Sequence, residues 1–441
     1  MGPRESTNVS PASLQEKFTL QRSFLWKWGH QGAGALERNG NRVPSFAFVL
    51  VVAFLLVLAV ACSRGGYAHQ EIEQYIPHYL SHRPLLNKIF DYKKVEVWLS
   101  YRPRPISYIV DDLDVAFIGW SSRQGFPHLL SASYYVFWAL DCFLLWFYLC
   151  HRLGLHRLTA GLFICLFSTD SVVFFNTGYF RSAKPGGTFL LLSAFVVFSE
   201  CVRAALDRRS GLRSGLLACL GAALLFCACL FDEIPAAFAL AGAVMLAIEF
   251  LWNRNSPRAR AFLYPLVAIV AVLLAFTYYD VVVHRWLIWV IDGERVSMSY
   301  QSGTASALLW HPAILLVGTI SVFVDVLGRL AGDLPSVLAF LLMLALISIW
   351  SPVPQERQAA YGVRQFLRAN DSRAVIRILV GGFLMAGCLY GMIARHHPVM
   401  RTDVRVSEYV LPLTTVFLLF FSVTASMVVQ KRYLSRGALQ L

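Results

Sequence analysis

Charge is what this sequence has little of. Of its 441 residues only 15% are Asp, Glu, Lys or Arg, where a soluble domain carries about 25%. Set against 57% apolar residues and several uninterrupted apolar runs of about 20 residues, that scarcity excludes a soluble globular protein. Ligand-type cysteine spacing is missing too. The nine cysteines lie in or beside apolar runs, with Cys227-Ala-Cys229 the one close pair. They read as small hydrophobes, neither disulfide partners nor zinc ligands. No period of about 20 to 50 residues recurs, which excludes solenoids and arrays. No small-residue cleavage site follows a short apolar core near the start, so residues 1–43 are expected to be a polar cytosolic tail and not a signal peptide.

What is present is basic charge, 39 Lys plus Arg against 26 Asp plus Glu, a formal +13. The arginines fall mostly in short connections between apolar runs. That placement fits the positive-inside rule and argues against nucleic acid as a partner. The runs fall near 44–62, 128–150, 158–177, 187–206, 215–231, 234–252, 261–283, 306–327, 334–350, 376–394 and 408–430. They predict an all-α polytopic transmembrane bundle of about 10–12 spans over 44–430. The basic connections around 151–157, 207–213 and 254–260 read as cytosolic. Both termini, including the tail 431–441, then share that side, and 63–127 becomes a large extracytoplasmic loop. Eleven crossings cannot return the chain to its starting side, so one element between Leu263 and Trp350 is expected to be interfacial or re-entrant, with 306–327 the foremost choice. The preference for Arg over Lys and the lack of an appended domain point to a bacterial inner membrane.

With this topology five polar groups gather on the outer face. They are His69-Gln-Glu71-Ile-Glu73-Gln-Tyr75; Tyr101-Arg102-Pro-Arg104-Pro-Ile-Ser-Tyr108 running into Asp111-Asp112-Leu-Asp114; Tyr179-Phe-Arg181-Ser-Ala-Lys184; Phe231-Asp232-Glu233-Ile-Pro235, too tight a turn to be anything but a hairpin tip; and Arg405-Val-Ser-Glu408-Tyr409-Val-Leu-Pro412. Ionisable groups at the edge of hydrocarbon are costly and mark function. Arginine forks suit a phosphate and a carboxylate suits a general base, so the combination fits an anionic, lipid-anchored substrate.

In order and character these groups resemble the GT-C superfamily of integral-membrane glycosyltransferases, most closely its protein O-mannosyltransferase-like branch. Glu71 and Glu73 stand where that branch has an acidic pair after the first span, more often adjacent aspartates. Tyr101-Arg102-Pro103-Arg104 is similar to its Y-R-P-L segment, and Gly125-Phe-Pro127 to its G-x-P turn. Gly178-Tyr-Phe-Arg181-Ser-Ala-Lys184 looks like a G-R-K-type segment. Phe231-Asp232-Glu233-Ile234 matches an S-K-E-T tip with Asp in the basic position. Ser407-Glu408-Tyr409-Val-Leu-Pro412 is similar to R-Y-L-x-P with the arginine displaced to Arg405. The resemblance covers roughly 44–260 and 400–430. It implies sugar transfer from a polyprenyl-phosphate donor to an acceptor hydroxyl. Glu71 (or Glu73) would be the base, and His69, Arg102, Arg104, Arg181, Lys184, Asp232, Glu233, Arg405 and Tyr409 would bind substrate.

The residues leave other readings open. Asp111, Asp112 and Asp114 are either hard ligands for a divalent cation, Mg²⁺ or Mn²⁺, or the polar face of an interfacial helix with Tyr108, Ile109, Val110, Leu113, Phe117 and Trp120 toward lipid. Asp141, Asp170, Glu200, Glu249, Asp280 and Asp325 lie in or near spans and would serve the proton or ion path of a transporter or flippase. A non-catalytic membrane scaffold of the same fold is the third reading.

Overall fold

The computed structural model describes residues 46–64, 80–81, 83–90, 103–125, 132–152, 157–169, 183–206, 211–256, 259–293, 316–322, 324, 380–388 and 390. Those residues are overwhelmingly helical, and no strand occurs among them. In order the main elements are α1 (Phe46–Arg64), the short α2 (Leu85–Phe90), α3 (Pro105–Arg123), α4 (Ala132–Phe147) with a π turn at Tyr148–Arg152, α5 (Arg157–Thr169), α6 (Ala183–Leu206), α7 (Gly211–Phe231), α8 (Ile234–Trp252), α9 (Ala259–Tyr278), a π turn at Tyr279–Val283, and α10 (His284–Asp292). Further helical turns lie at 316–322 and 380–388.

Four helices are long and apolar enough to cross a bilayer: Pro185–Leu206, Gly211–Phe231, Ile234–Trp252 and the continuous Ala259–Ile291. The shorter apolar helices Phe46–Leu58 and Tyr135–His151 accompany them. This is a membrane protein built as an all-α bundle. The apolar runs at 334–350 and 408–430 and the first part of 306–327 lie outside the described residues. In lipid a helix satisfies its backbone polar groups internally. Association between helices then rests on close packing more than on the hydrophobic effect. The packing shows this. α6 lies along α7, α7 and α8 pack on α9, and α1 packs on α5. A β-carbon on Gly221 of α7 would come within 2.6 Å of the Phe198 ring of α6, so the two backbones approach only because that position carries no side chain.

Polar side chains inside the bundle find partners within it. The Trp138 indole N–H of α4 donates to Ser168 Oγ of α5 at 2.9 Å, and that hydroxyl donates to Ile164 O at 2.7 Å. Cys201 Sγ donates to Ser214 O at 3.2 Å, joining α6 to α7 next to their basic connection. The cysteines from Cys142 to Cys388 are free thiols.

Two expectations need correction. The run predicted as a span over 261–283 continues as helix to Asp292, with the π turn inside it. Residues 105–123 form the helix expected there, with Ile109, Leu113 and Trp120 on its outer side, but Tyr108, expected among them, is turned inward. Tyr108, Asp111, Asp114 and Val115 are buried, whereas Ile109, Leu113 and Trp120 are exposed. Asp111 and Asp114 point into the protein, and Ile109, Leu113 and Trp120 point out. That pattern suits a helix bounded by protein on one side and lipid on the other.

Candidate functional site

The tip between α7 and α8 is two residues long, Asp232 and Glu233. Pro235 stands in the first turn of α8, where its missing N–H leaves no bond unmade. Asp232 Oδ1 accepts the Ile234 N–H at 3.0 Å, and the Asp232 N–H still bonds Ala228 O at 3.1 Å, so the carboxylate is held by backbone on both sides of the turn. Its other oxygen, Oδ2, faces Arg104 Nη1 at 3.5 Å. Arg104 is 1% exposed and Asp232 2%. A pair so far from water stands only where further polar contacts support it.

The start of α3 places Arg104. Arg104 immediately precedes it. Its guanidinium carbon lies 5.7 Å from the Tyr108 ring centroid, and its carbonyl accepts the Ser107 hydroxyl at 3.2 Å and the Tyr108 N–H at 3.3 Å. One helix face thus carries Arg104, Ser107, Tyr108, Asp111 and Asp114 inward. Asp114 fixes the middle of α3 to the start of α4: the Ser133 N–H donates to its Oδ1 at 2.7 Å and the Ser133 hydroxyl to its Oδ2. Asp112 turns the other way and pairs with Lys88 Nζ of α2 at 2.9 Å.

The first turn of α6 completes this end of the bundle. A β-carbon on Gly187 would sit 3.5 Å from both Asp232 Cβ and Pro235 Cγ, and one on Gly186 would strike the Phe231 ring at 2.5 Å. Phe137 of α4 stands edge-on to Phe231, centroids 5.4 Å apart. The start of a helix, with its partial positive charge, therefore lies against the tip that carries Asp232 and Glu233.

Of the residues singled out from sequence, the structure brings Arg104, Asp232 and Glu233 into one buried cluster. It puts the backbone of Lys184 in the α6 turn that packs on the tip. The hairpin tip expected at Asp232 and Glu233 is present, and both side chains are buried in it. A two-residue connection leaves no slack to carry them away from the flanking helices. His69, Glu71, Glu73, Arg102, Arg181, Arg405 and Tyr409 lie outside the described residues. The three aspartates of α3 do not suit a divalent cation. Asp112 pairs with a lysine, Asp114 is taken up by Ser133, and the side chains leave different faces of the helix. Among the described residues no group of three or more His, Cys, Asp or Glu converges to hold a metal ion.

Sequence reasoning passed over Ser133 and Thr188, small polar residues buried at this end. It also passed over His284, whose one signal in the sequence is its place four residues after Asp280 in an apolar run. No protein-family model, no curated protein and no solved structure matches this chain.

Proposed function

We propose that this chain is a GT-C-like integral-membrane glycosyltransferase that moves a sugar from a polyprenyl-phosphate carrier to an acceptor hydroxyl. One observation carries the reading: Arg104 and Asp232, from two of the five groups the resemblance singles out, meet in a buried polar cluster at one end of an apolar helix bundle. A guanidinium held there beside the Asp232 carboxylate can bind two oxygens of a leaving phosphate. Little reorganisation is left to do when charge develops on that phosphate. The lipid tail would stay in the bilayer or between helices, which confines the sugar's anomeric carbon to the bundle end.

In the step itself the acceptor oxygen bonds to the anomeric carbon. The carbon–oxygen bond to phosphate breaks, and its electron pair leaves with the polyprenyl phosphate. Arg104 offsets that charge, with Arg181, Lys184 and Arg405 in the same role by resemblance. The acceptor proton passes to a base, the role the resemblance gives to Glu71 or Glu73. The site opens to the extracytoplasmic face of a bacterial inner membrane, with both termini in the cytosol.

A transporter or flippase has one observation in its favour. Asp141 is 4% exposed within α4, and its Oδ1 has no hydrogen-bond partner among the described residues. The test is an assay of purified, reconstituted protein with a panel of labelled polyprenyl-phosphate sugars. Transfer of label to an acceptor or to water upholds the glycosyltransferase. Proton- or sodium-driven uptake into liposomes with no transfer overturns it.

A further inference from the structure

The outer surface of the long helix formed by α9 and α10 carries a pattern of its own. The helix is continuous for 33 residues, Ala259–Ile291. At 1.5 Å per residue that is about 50 Å, longer than the hydrocarbon at about 30 Å and close to the bilayer with both headgroup layers at about 40–45 Å. Exposed apolar side chains follow one face of it from Tyr264 through Val267, Val270, Leu274 and Tyr278 to Trp286. They recur every three or four residues up to the π turn Tyr279–Val283. That turn adds one residue, so Trp286 and not Arg285 comes into line with Tyr278. Asp280 and His284 are turned inward at the same place. The apolar stripe therefore runs unbroken past Asp280, His284 and Arg285.

The rings near its two ends mark the edges of the membrane. Tyr264 and Trp286 lie about 33 Å apart along the axis, close to the separation of the two boundary layers where Tyr and Trp collect. Trp289, nearly a turn further on, is exposed as well. The end of α10 thus stands at the level of a headgroup layer. Helix α2 is fastened at that level. Phe90 packs on His284 with ring centroids 5.3 Å apart, and Asn87 Nδ2 donates to Ile291 O at 3.3 Å. Lys88 Nζ ties the same short helix to Asp112 of α3 at 2.9 Å. Ile89 and Phe90 are buried, while Leu85 and Leu86 are left exposed.

We propose that Leu85 and Leu86 of α2, with Trp286 and Trp289 of α10, form a lipid-binding surface sunk into one headgroup layer of the bilayer. The phospholipid of that layer is the occupant, because these side chains continue the lipid-facing stripe of α9 at the depth that helix length and aromatic spacing set. The leucines enter the top of the acyl region, as the apolar side of an interfacial helix does. Each indole keeps its ring in the same boundary with its N–H toward water. Helix α2 is then a clasp that lies on the membrane across α3 and α10, whatever the bundle transfers.

The test uses the full chain, free of native cysteines, in phosphatidylcholine nanodiscs. A nitrobenzoxadiazole fluorophore is placed on single cysteines at Leu86 and Trp286, which are 59% and 55% exposed, so a label there meets whatever lies beyond the protein. Leu274→Cys gives the mid-membrane reference, and Asn255→Cys, exposed between α8 and α9, the aqueous one. At Leu86 and Trp286 we expect emission shifted to the blue of the Asn255 label and loss of most iodide quenching. A nitroxide near the lipid headgroup should quench both labels more than one at the chain end, the reverse of the order at Leu274. Leu85→Cys and Trp289→Cys repeat the reading where a labelled variant is not monodisperse. Iodide quenching at either helix as strong as at Asn255 puts that face in water and overturns the proposal. Protection of either from both quenchers means that protein covers it, a second copy or another segment of the chain, and overturns it equally.

Discussion

At the scale of single residues the structure turns on a buried ion pair. Removing one partner strands the other charge away from water, which costs about 3–5 kcal/mol. Removing both leaves no stranded charge. Arg104→Ala and Asp232→Ala are therefore each expected to lower the unfolding free energy in detergent by about that amount, while the double variant loses clearly less than the sum. Additive losses would mean the two side chains do not act on one another. The sequence shows Arg104 and Asp232 as candidates because charge is scarce and these charges sit beside apolar runs. Their contact it does not show. That contact is decided by how α3 lies across the α7–α8 tip, and no spacing along the chain encodes it. His284 is a sharper case. Histidine in an apolar stretch has no pattern of its own, and only the packing of Phe90 and Tyr279 around the ring gives it a context.

At the scale of elements, helix existence is legible and helix faces only in part. Apolar runs locate α1 and α4 to α9 because each must satisfy its backbone internally in lipid. The end of the long helix is misjudged for a physical reason. Asp280, His284 and Arg285 look like the polar close of a span, but the first two turn inward, while Trp286, Trp289 and Val290 stay exposed on the outer side. Helix α3 is read correctly for Leu113 and Trp120, which lie on its outer side, and wrongly for Tyr108, which is buried with Asp111 and Asp114. Close approach of backbones is equally hidden. Gly221 looks interchangeable with alanine in a helix, where alanine is the better former. Against Phe198 the added methyl must displace a ring, so Gly221→Ala is expected to cost about 1–3 kcal/mol. A thermal melt in detergent reads this. A melting temperature unchanged or raised would show that α6 and α7 do not pack as described.

At the scale of the whole molecule, the basic connections and the acidic tip are expected to lie on opposite sides of the membrane. In a background without native cysteines, cysteines placed at Ser210 and Ser256 should react with an impermeant maleimide only from the cytosolic side. Labelling from the outer side would invert the topology and put the Arg104–Asp232 cluster in the cytosolic leaflet. The proposed outward orientation matters because it would set which donor pool the cluster meets. A polyprenyl-phosphate sugar carrying a photoreactive diazirine beside its phosphate reports directly on where that donor sits. After irradiation of the reconstituted protein, peptide mapping should find the cross-links on the segments around Arg104 to Asp112 and Asp232 to Pro235, and Arg104→Gln should abolish them. Cross-links confined to the basic connections at the other end of the bundle, around 207–213 and 254–260, would contradict a phosphate site built on Arg104 and Asp232.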